Sequence, residues 1–322
     1  MLIDNLDLKI LYELDRNARA PYSAIAKKVG VSKQTVQKRI ESLVSRHVVT
    51  QFTTIINMAR FGIFPSQIYL SFNSCSQEEK KGFIESLMNN PAVTQASLCE
   101  GAYDLFFGIA ARNQHEIDLA LSNVCYPFAS IIKTRKIVQF VDTRLFPRDH
   151  LIGKKRDINP MDKGFHSRQA NPAVVKETDK GIIASLCQDP RISFTGIARK
   201  LNIPVQTIIQ RVRFLEKEDV IRGYIYLLDE EIFMEHNVLL ECSPLSNELE
   251  KRLFSYLANQ PNVMFVAKTL GEFDFSINVE TMDLKDYRKF AEDFKQAFAP
   301  QIKNFTPLMV TKFLKLSFMP KF

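Results

Sequence analysis

The chain has 322 residues, 43 Lys and Arg against 36 Asp and Glu for a net charge of +7, and 46% hydrophobic residues with only 11 Gly and 14 Pro. That length calls for two or more domains, and that composition excludes a disordered or fibrous chain. The five cysteines are scattered and never form a Cys-x-x-Cys pair, which argues against a zinc ribbon or a disulfide framework and for small apolar residues in a reducing compartment. The opening MLIDNLDLKILYELDRNARA is crossed by acids, and no run approaches the roughly 18 apolar residues of a membrane span. The expectation is a cytoplasmic protein without membrane contact.

Taken in order, Leu6, Ile10, Leu11 and Leu14 make one apolar stripe of a first helix. PYSAIAKKVG forms a second helix stopped at Gly30, a left-handed C-cap, and Ser32 caps a third beginning at Lys33. In that third helix Val36, Ile40, Leu43 and Val44 share a face, leaving Gln34, Lys38, Glu41 and Ser45 opposite and Gln37 at the flank. Two helices joined by Gly30-Val31-Ser32 are the helix-turn-helix arrangement. Residues 16–50 hold eight Lys/Arg against one acid, Glu41. A merely solvated face of a three-helix bundle mixes signs, so this excess favours a polyanion partner, double-stranded DNA. Beyond it come β-rich segments at 66–73, 94–100, 104–111 and 131–146, with amphipathic helices at 77–89 and 113–124. The order β-α-β-β-α-β is the ferredoxin-like plan.

The chain then repeats itself. Residues 7–52 align without gaps onto 179–224 at an offset of 172, carried by IAKKVGVSKQTVQKRIESL (25–43) and IARKLNIPVQTIIQRVRFL (197–215). Pro91-Ala-Val and Gly101-Ala-Tyr103-Asp104 recur at offset 170 as Pro261-Asn-Val and Gly271-Glu-Phe273-Asp274. In the second half the strand NVLLECS (237–243), helices near 246–259 and 283–298 and a strand near 305–318 complete the same order. Residues 148–177, charged and containing Pro160 and Pro172, lack a hydrophobic period and read as a linker or extended arm. The predicted divisions are 1–50, 51–147, the linker 148–177, 178–222 and 223–322. Net charge is +4 over residues 1–150, +3 over 151–177 and zero over 178–322, so the two copies are not electrostatically equal.

The opening Asp7, Ile10, Leu11 and Leu14, the I-A-x-x-V-G-V-S run at 25–32, V-x-x-R-I-x-x-L at 36–43 and the Gly-x-Tyr-Asp turn at 101–104 together resemble the Lrp/AsnC family of leucine- and asparagine-responsive regulators, over nearly the whole chain and twice. The resemblance implies an α+β protein: two copies of a winged helix-turn-helix, a linking strand at about 50–57, and a ferredoxin-like βαββαβ effector domain of the RAM or ACT type. It implies a DNA-binding transcription regulator that pairs through linking strands and effector domains and self-associates further. One chain would then be a covalent pseudo-dimer, its recognition helices about one DNA turn apart.

For the first helix-turn-helix, Lys27, Lys28, Lys33 and Arg39 are phosphate-contact candidates beside the capping Ser32, and Gln34, Gln37 and Lys38 are base-edge candidates. In the second, Gln206, Gln210, Arg211, Arg213 and Lys217 keep a plausible DNA surface, but Lys33 becomes Val205, Gln37 becomes Ile209 and Val44 becomes Glu216. A weaker second half-site follows; packing of this unit on a partner through an outward Ile209 is the alternative. The family's effector position, for an amino acid or another small molecule, falls on Gly101, Tyr103, Asp104, Gly271, Phe273 and Asp274. Tight-turn aspartates also cap backbone amides, so a packed hairpin turn is the competing reading.

The enzyme alternative is a siroheme decarboxylase, whose subunits resemble the same family. The chain has no Trp, and His47, His115, His150, His166 and His236 are scattered, most of them in segments expected to be exposed. Phosphate-loop, nucleophile-elbow and His-Glu-x-x-His motifs are absent. The sequence therefore predicts no enzyme, no metal and no cofactor, with a ligand-sensing interaction protein as a third possibility.

Overall fold

In the computed structural model, residues 3–156 and 173–319 are described. The first helix-turn-helix comprises α1 (Asn5–Arg16), α2 (Tyr22–Val29) and α3 (Lys33–Ser45). Asp4 opens α1 with a reciprocal capping box to Asp7. Gly30 closes α2 at φ 77°, and the Ser32 hydroxyl accepts the Thr35 amide at 3.0 Å to start α3. The second copy is α6 (Glu177–Gln188), α7 (Phe194–Leu201) and α8 (Val205–Lys217), each helix in step with the first at the same offset.

After each set of three helices runs one linking strand, β1 (Val49–Ile56) and β6 (Ile221–Leu228), and these pair antiparallel with each other. Thr53 lies opposite Ile225, its own repeat counterpart, so a pseudo-twofold axis passes through that pair. The helix-turn-helix units are exchanged across it. Ile10, Leu11, Leu14, Val36 and Leu43 share a core with Tyr226, Leu228 and Phe233 of the second copy, whereas Ile182, Ile183, Leu186, Val212 and Leu215 pack with Ala18 and Ile56 of the first. Arg19 and its counterpart Arg191 reach across reciprocally, Arg19 to the Ile192 carbonyl (2.7 Å) and Arg191 to that of Ala18.

The β-α-β-β-α-β order appears in both halves: β2 (Phe64–Phe72), α4 (Gln77–Asn89), β3 (Val93–Gly101), β4 (Leu105–Ala111), α5 (Gln114–Cys125) and β5 (Ile132–Leu145), then β7 (Met234–Cys242), α9 (Asn247–Ala258), β8 (Val263–Gly271), β9 (Phe275–Thr281), α10 (Leu284–Phe298) and β10 (Ile302–Leu316). The last strand of each half pairs with the other half, β5 with β8 and β10 with β3, closing one eight-stranded barrel in the order β10-β3-β4-β2-β5-β8-β9-β7. Closure leaves no free edge in that sheet. Outside it, Phe83, Leu87, Leu121 and Val124 of α4 and α5 bury against Ile68, Leu105 and Phe107, and Leu253, Leu257, Phe290 and Phe294 of α9 and α10 bury against Val238, Phe275 and Ile277. Alternate residues face inward, as strand geometry demands.

The predicted linker is partly a built element. A short 3-10 turn covers Asp149–Ile152, and buried Arg156 pairs with Asp149 at 2.9 Å while its Nη2 donates to the Pro147, Pro261 and Val263 carbonyls. Three backbone carbonyls and a carboxylate thus hold two of the three guanidinium nitrogens, while its Nη1 is buried with no partner among the described residues. The remainder of that stretch, with Pro160, Pro172 and His166, lies outside the described residues. Among the described residues no helix is long and apolar enough to cross a membrane, and the five cysteines are free, with Cys99 and Cys125 buried.

Candidate DNA-facing helices and a central cavity

The outer face of α3 exposes Ser32, Lys33, Gln34, Gln37 and Lys38, with Lys27 and Lys28 exposed at the end of α2. Among the described residues Lys27, Lys33 and Lys38 form no ion pair, while Lys28 meets Glu13 at 2.5 Å and Gln37 donates to Glu41 at 2.9 Å. Arg39 is differently placed. Its guanidinium bridges Asp4 (2.6 Å) and buried Asp7 (3.2 Å), tying α3 to the start of α1. Its counterpart Arg211 grips fully buried Asp179 with two bonds of 2.7 and 2.6 Å. Both arginines, predicted for DNA, are thus engaged as clamps within their own three-helix units. The Arg/Asp pair at a fixed spacing in both copies was the available signal for this.

On α8, Gln206, Gln210, Arg213 and Lys217 are exposed beside two exposed apolar side chains, Val205 and Phe214. Ile209 is half-buried rather than outward, which weakens the idea that it anchors a partner. Pro204 occupies the cap position and offers no side-chain acceptor.

The two Gly-x-aromatic-Asp turns are tied into the barrel. Asp104 accepts the Phe72 amide and Asp274 the Cys242 amide, both at 2.7 Å, so each carboxylate is spent on its neighbouring strand. Gly101 and Gly271 sit at φ 133° and 129°, and a Cβ there would come within 2.8 Å of the Pro307 carbonyl and 2.5 Å of that of Ile137. The strand from the opposite half passes too close for any side chain. Tyr103 and buried Phe273 meet across the barrel, ring centroids 6.2 Å apart, both against Tyr69. Within the chain these six positions form the packed-turn arrangement, not an open ligand pocket.

A different concavity was not foreseen. A cavity of about 310 Å³ lies between the ribbon (Ile55, Ile225, Leu227), α1 (Tyr12, Asp15, Arg16) and the inner faces of the barrel strands. The rest of the barrel interior is filled by Tyr69, Cys99, Val138, Leu239, Phe273, Leu308 and Val310. The cavity's walls differ between repeats. The second half presents Glu235, Asn237, Ser276 and Asn278, where the first, at offset 170, presents Pro65, Gln67, Phe106 and Gly108. The polar wall is bonded in series: Asn237 donates to Ser276 (2.9 Å) and Asn278 (2.6 Å), and Asn278 donates to Glu235 (2.6 Å). Burial, reinforced by nearby Glu280, pushes the Glu235 carboxyl up to about 8.

At the cavity's edge Arg148 joins three elements. Its Nη1 meets Asp15 of α1 at 2.6 Å, its Nε lies 2.9 and 3.0 Å from the two Glu280 oxygens of β9, and its guanidinium carbon stands 4.9 Å from the Tyr226 ring. Burial would raise Glu280, but Arg148 and His150, 3.1 Å away, outweigh it and hold that carboxyl at about 2. The histidines depart from expectation here: His150 is largely buried, and His236 is buried, stacked on Tyr287 at 3.6 Å and pushed down to about 4 by that burial. His47 and His115 are exposed. No cluster of three or more potential metal ligands occurs among the described residues.

Comparison with known proteins matches residues 3–44 to the AsnC-type helix-turn-helix domain and residues 176–222 to a winged helix-turn-helix DNA-binding domain. The Bkd operon transcriptional regulator of Pseudomonas aeruginosa is 32% identical over 126 residues, 37% of this chain and 79% of that one. An uncharacterized HTH-type transcriptional regulator of Pyrococcus horikoshii is 26% identical over 144 residues, 44% of this chain and 96% of that one. Such relatives correspond to one copy of the repeat. A solved structure matching almost the whole chain is the siroheme decarboxylase NirDL, with TM-score 0.60, 16% identity, and coverage of 97% of this chain and 93% of that one. That likeness is one of fold, but it overturns the expectation that the chain is not an enzyme: the architecture is one a decarboxylase uses, and missing sequence motifs do not exclude chemistry in a central cavity. By its helix-turn-helix and its regulator relatives, the chain belongs to the Lrp/AsnC family, with that family's unit present twice.

Proposed function

We propose that this protein is a cytoplasmic, sequence-specific DNA-binding transcription regulator that presents two unequal helix-turn-helix readers from one chain. The observation that carries this reading is the exposed face of α3, where Lys33, Gln34, Gln37 and Lys38 stand together with Lys27 and the lysines have no acid partner among the described residues. Lysines supply phosphate affinity and amide side chains read base edges. The second reader contributes Gln206, Gln210 and Arg213, with Val205 and Phe214 diluting its polar face. Association of pseudo-dimers into larger assemblies, and modulation by a small effector, belong to this proposal. Because the barrel strands are already paired in a ring, such assembly would use the helices or loops, not sheet edges.

Selection of genomic fragments by the purified protein tests the reading. Enrichment of an asymmetric site is expected, with a log-log salt slope near −7 if about eight phosphates are contacted. Lys38→Ala and Gln34→Ala should cut discrimination between sequences by about 1–3 kcal/mol, whereas Lys33→Ala should weaken all sequences alike. No enriched sequence would end the regulator reading. A second reading, a siroheme decarboxylase-like enzyme, is favoured by the whole-chain fold match together with the cavity. Loss of carboxylates from added siroheme, followed by visible spectroscopy and product analysis, would establish it.

A further inference from the structure

We propose that the central cavity is a binding site for a small organic amine, its ammonium group seated on the Glu235 carboxylate and its apolar body lying against Phe140, Phe265 and Phe313. Glu235 is the acid on this wall that has no ion pair among the described residues; Asp15 and Glu280 share Arg148, and Asp149 holds Arg156. A carboxylate in such surroundings stays ionised only when a cation joins it. Burial beside Glu280 already pushes that carboxyl up to about 8, the direction that favours a bound proton. An ammonium would replace the proton.

The repeat supplies the second argument. Facing strands in the first half carry Pro65 and Gly108 at the positions of Glu235 and Asn278, so one wall has lost bulk and polarity where the other has gained a carboxyl-amide pair. Two copies that line a shared cavity with different chemistry fit an asymmetric ligand. The Asn278 amide, itself held by Asn237, fixes the Glu235 carboxyl through Oε1, leaving its other oxygen for the ligand. At about 310 Å³ the space is at the small end of the ligand-pocket range of roughly 300–1,000 Å³. Occupancy would also touch α1 and the ribbon, which hold the first helix-turn-helix, but binding itself does not depend on the DNA reading.

The charged groups that act most strongly on Glu235 are Glu280 of β9, Arg148 before the 3-10 turn and Glu230 ahead of β7, while Asp15, Arg16, Asp149, Lys154, Arg222 and Lys315 also line the cavity. Against that field, a binding site that must shed the Glu235 proton gains affinity with pH. Calorimetric titration of the full chain with hexylamine and phenethylamine, and with the matching alcohols and carboxylic acids, tests this at pH 6, 7 and 8. Amines should bind, the alcohols and acids at least tenfold more weakly, with affinity rising up to about tenfold per pH unit below 8 and a proton released to buffer. Glu235→Gln should lose at least tenfold and flatten the pH slope, and Ala110→Phe, which fills the space from the opposite wall, should lose binding, with urea unfolding of both variants at pH 6 showing the wild-type cooperative transition. Absence of amine binding below millimolar, equal binding by Glu235→Gln, equal binding of the alcohols, or siroheme held in the cavity without competition from amines would each overturn the proposal. The titration contains no DNA, so its failure leaves the regulator reading standing.

Discussion

The two helix-turn-helix units have the same three helices at the same offset, yet they are fastened to the barrel by opposite chemistry. The first adds charge to its apolar core: Arg148 sits between Asp15 of α1 and Glu280 of β9. At the equivalent places in the second copy stand Phe318 and Cys187, and Phe318 and Met319 pack into the apolar core of α6, α7 and α8. A duplicated scaffold has thus kept its fold while exchanging an ion triad for a hydrophobic plug. Desolvated ion groups are stabilising only as a complete set, whereas apolar burial degrades gradually.

The largest effect should come from breaking the triad. Arg148→Ala removes the cation that bridges two buried carboxylates, Asp15 and Glu280, and should cost about 3–5 kcal/mol in urea unfolding. Phe318→Ala, which trims a partly buried ring, should cost about 1–3 kcal/mol. The sign with pH also separates them. Glu280 is depressed from 4.5 to about 2, so its contribution is present above about pH 4.5 and lost as pH falls towards 2. Acid should therefore destabilise wild type along this route but leave Arg148→Ala less affected. Equal losses for the two variants at neutral pH would remove the distinction between the dockings.

A finer comparison concerns the clamps inside each unit. Arg211 holds an Asp179 that is fully buried, with two bonds, while Arg39 shares its load with Arg46, 3.7 Å from the other Asp7 oxygen, and is itself more exposed. Arg211→Ala should cost about 3 kcal/mol and Arg39→Ala about 1 kcal/mol. Thermal unfolding of the two variants checks the order. A loss of DNA affinity in folded Arg39→Ala beyond that in Lys28→Ala would show that the clamp also contacts phosphate.

Much of this architecture was legible because periodicity and self-alignment are properties of the chain itself. Gly30, Ser32 and the apolar stripes place α1 to α3 within a residue or two, and the offset of 172 carries them to α6 to α8. The β-α-β-β-α-β order was equally plain. Barrel closure through β5 with β8 and β10 with β3 was not, because it depends on pairing between residues more than a hundred positions apart. The cavity was invisible for the same reason: Asp15, Glu235 and Arg148 come together only through that closure. The clamp role of Arg39 was hidden because a basic residue on such a helix is judged by its helix face, while its partners Asp4 and Asp7 lie at the start of another helix. The Asp104 and Asp274 turns, by contrast, offered both readings in sequence, and the bonds to the strand amides of Phe72 and Cys242 support the packed turn.

The cavity gives a comparison between halves that pH can sharpen. Glu235 is raised from 4.5 to about 8, so its folded form binds the proton more tightly and the associated stability is complete below about pH 4.5 and lost as pH rises through 8. Glu235→Gln should accordingly stabilise the protein at pH 9 by about 1–2 kcal/mol, after allowing for water reaching the cavity, and change little at pH 5. Pro65, its counterpart, has no charge to lose, and Pro65→Ala should show no such pH dependence. Unfolding curves at the two pH values measure both.

The smallest difference lies at the start of the recognition helices, and it bears most directly on DNA. Ser32 satisfies the Thr35 amide at 3.0 Å, whereas Pro204 leaves the first turn of α8 without a side-chain cap. Ser32→Ala should cost about 1 kcal/mol, and Pro204→Ser should return less, because the Thr207 amide already donates to the Pro204 carbonyl at 3.0 Å. Hydrogen exchange at Thr35 and Thr207 reads the local effect separately from global unfolding. In wild type the first turn of α3 should exchange more slowly than that of α8, and the two substitutions should bring the helices towards each other. Because Lys33 and Gln34 stand in that first turn, a frayed α3 should also weaken DNA binding, whereas a capped α8 without added basic residues should gain order but little affinity. A gain in affinity from Pro204→Ser alone would mean that the second reader is limited by its helix start rather than by its face.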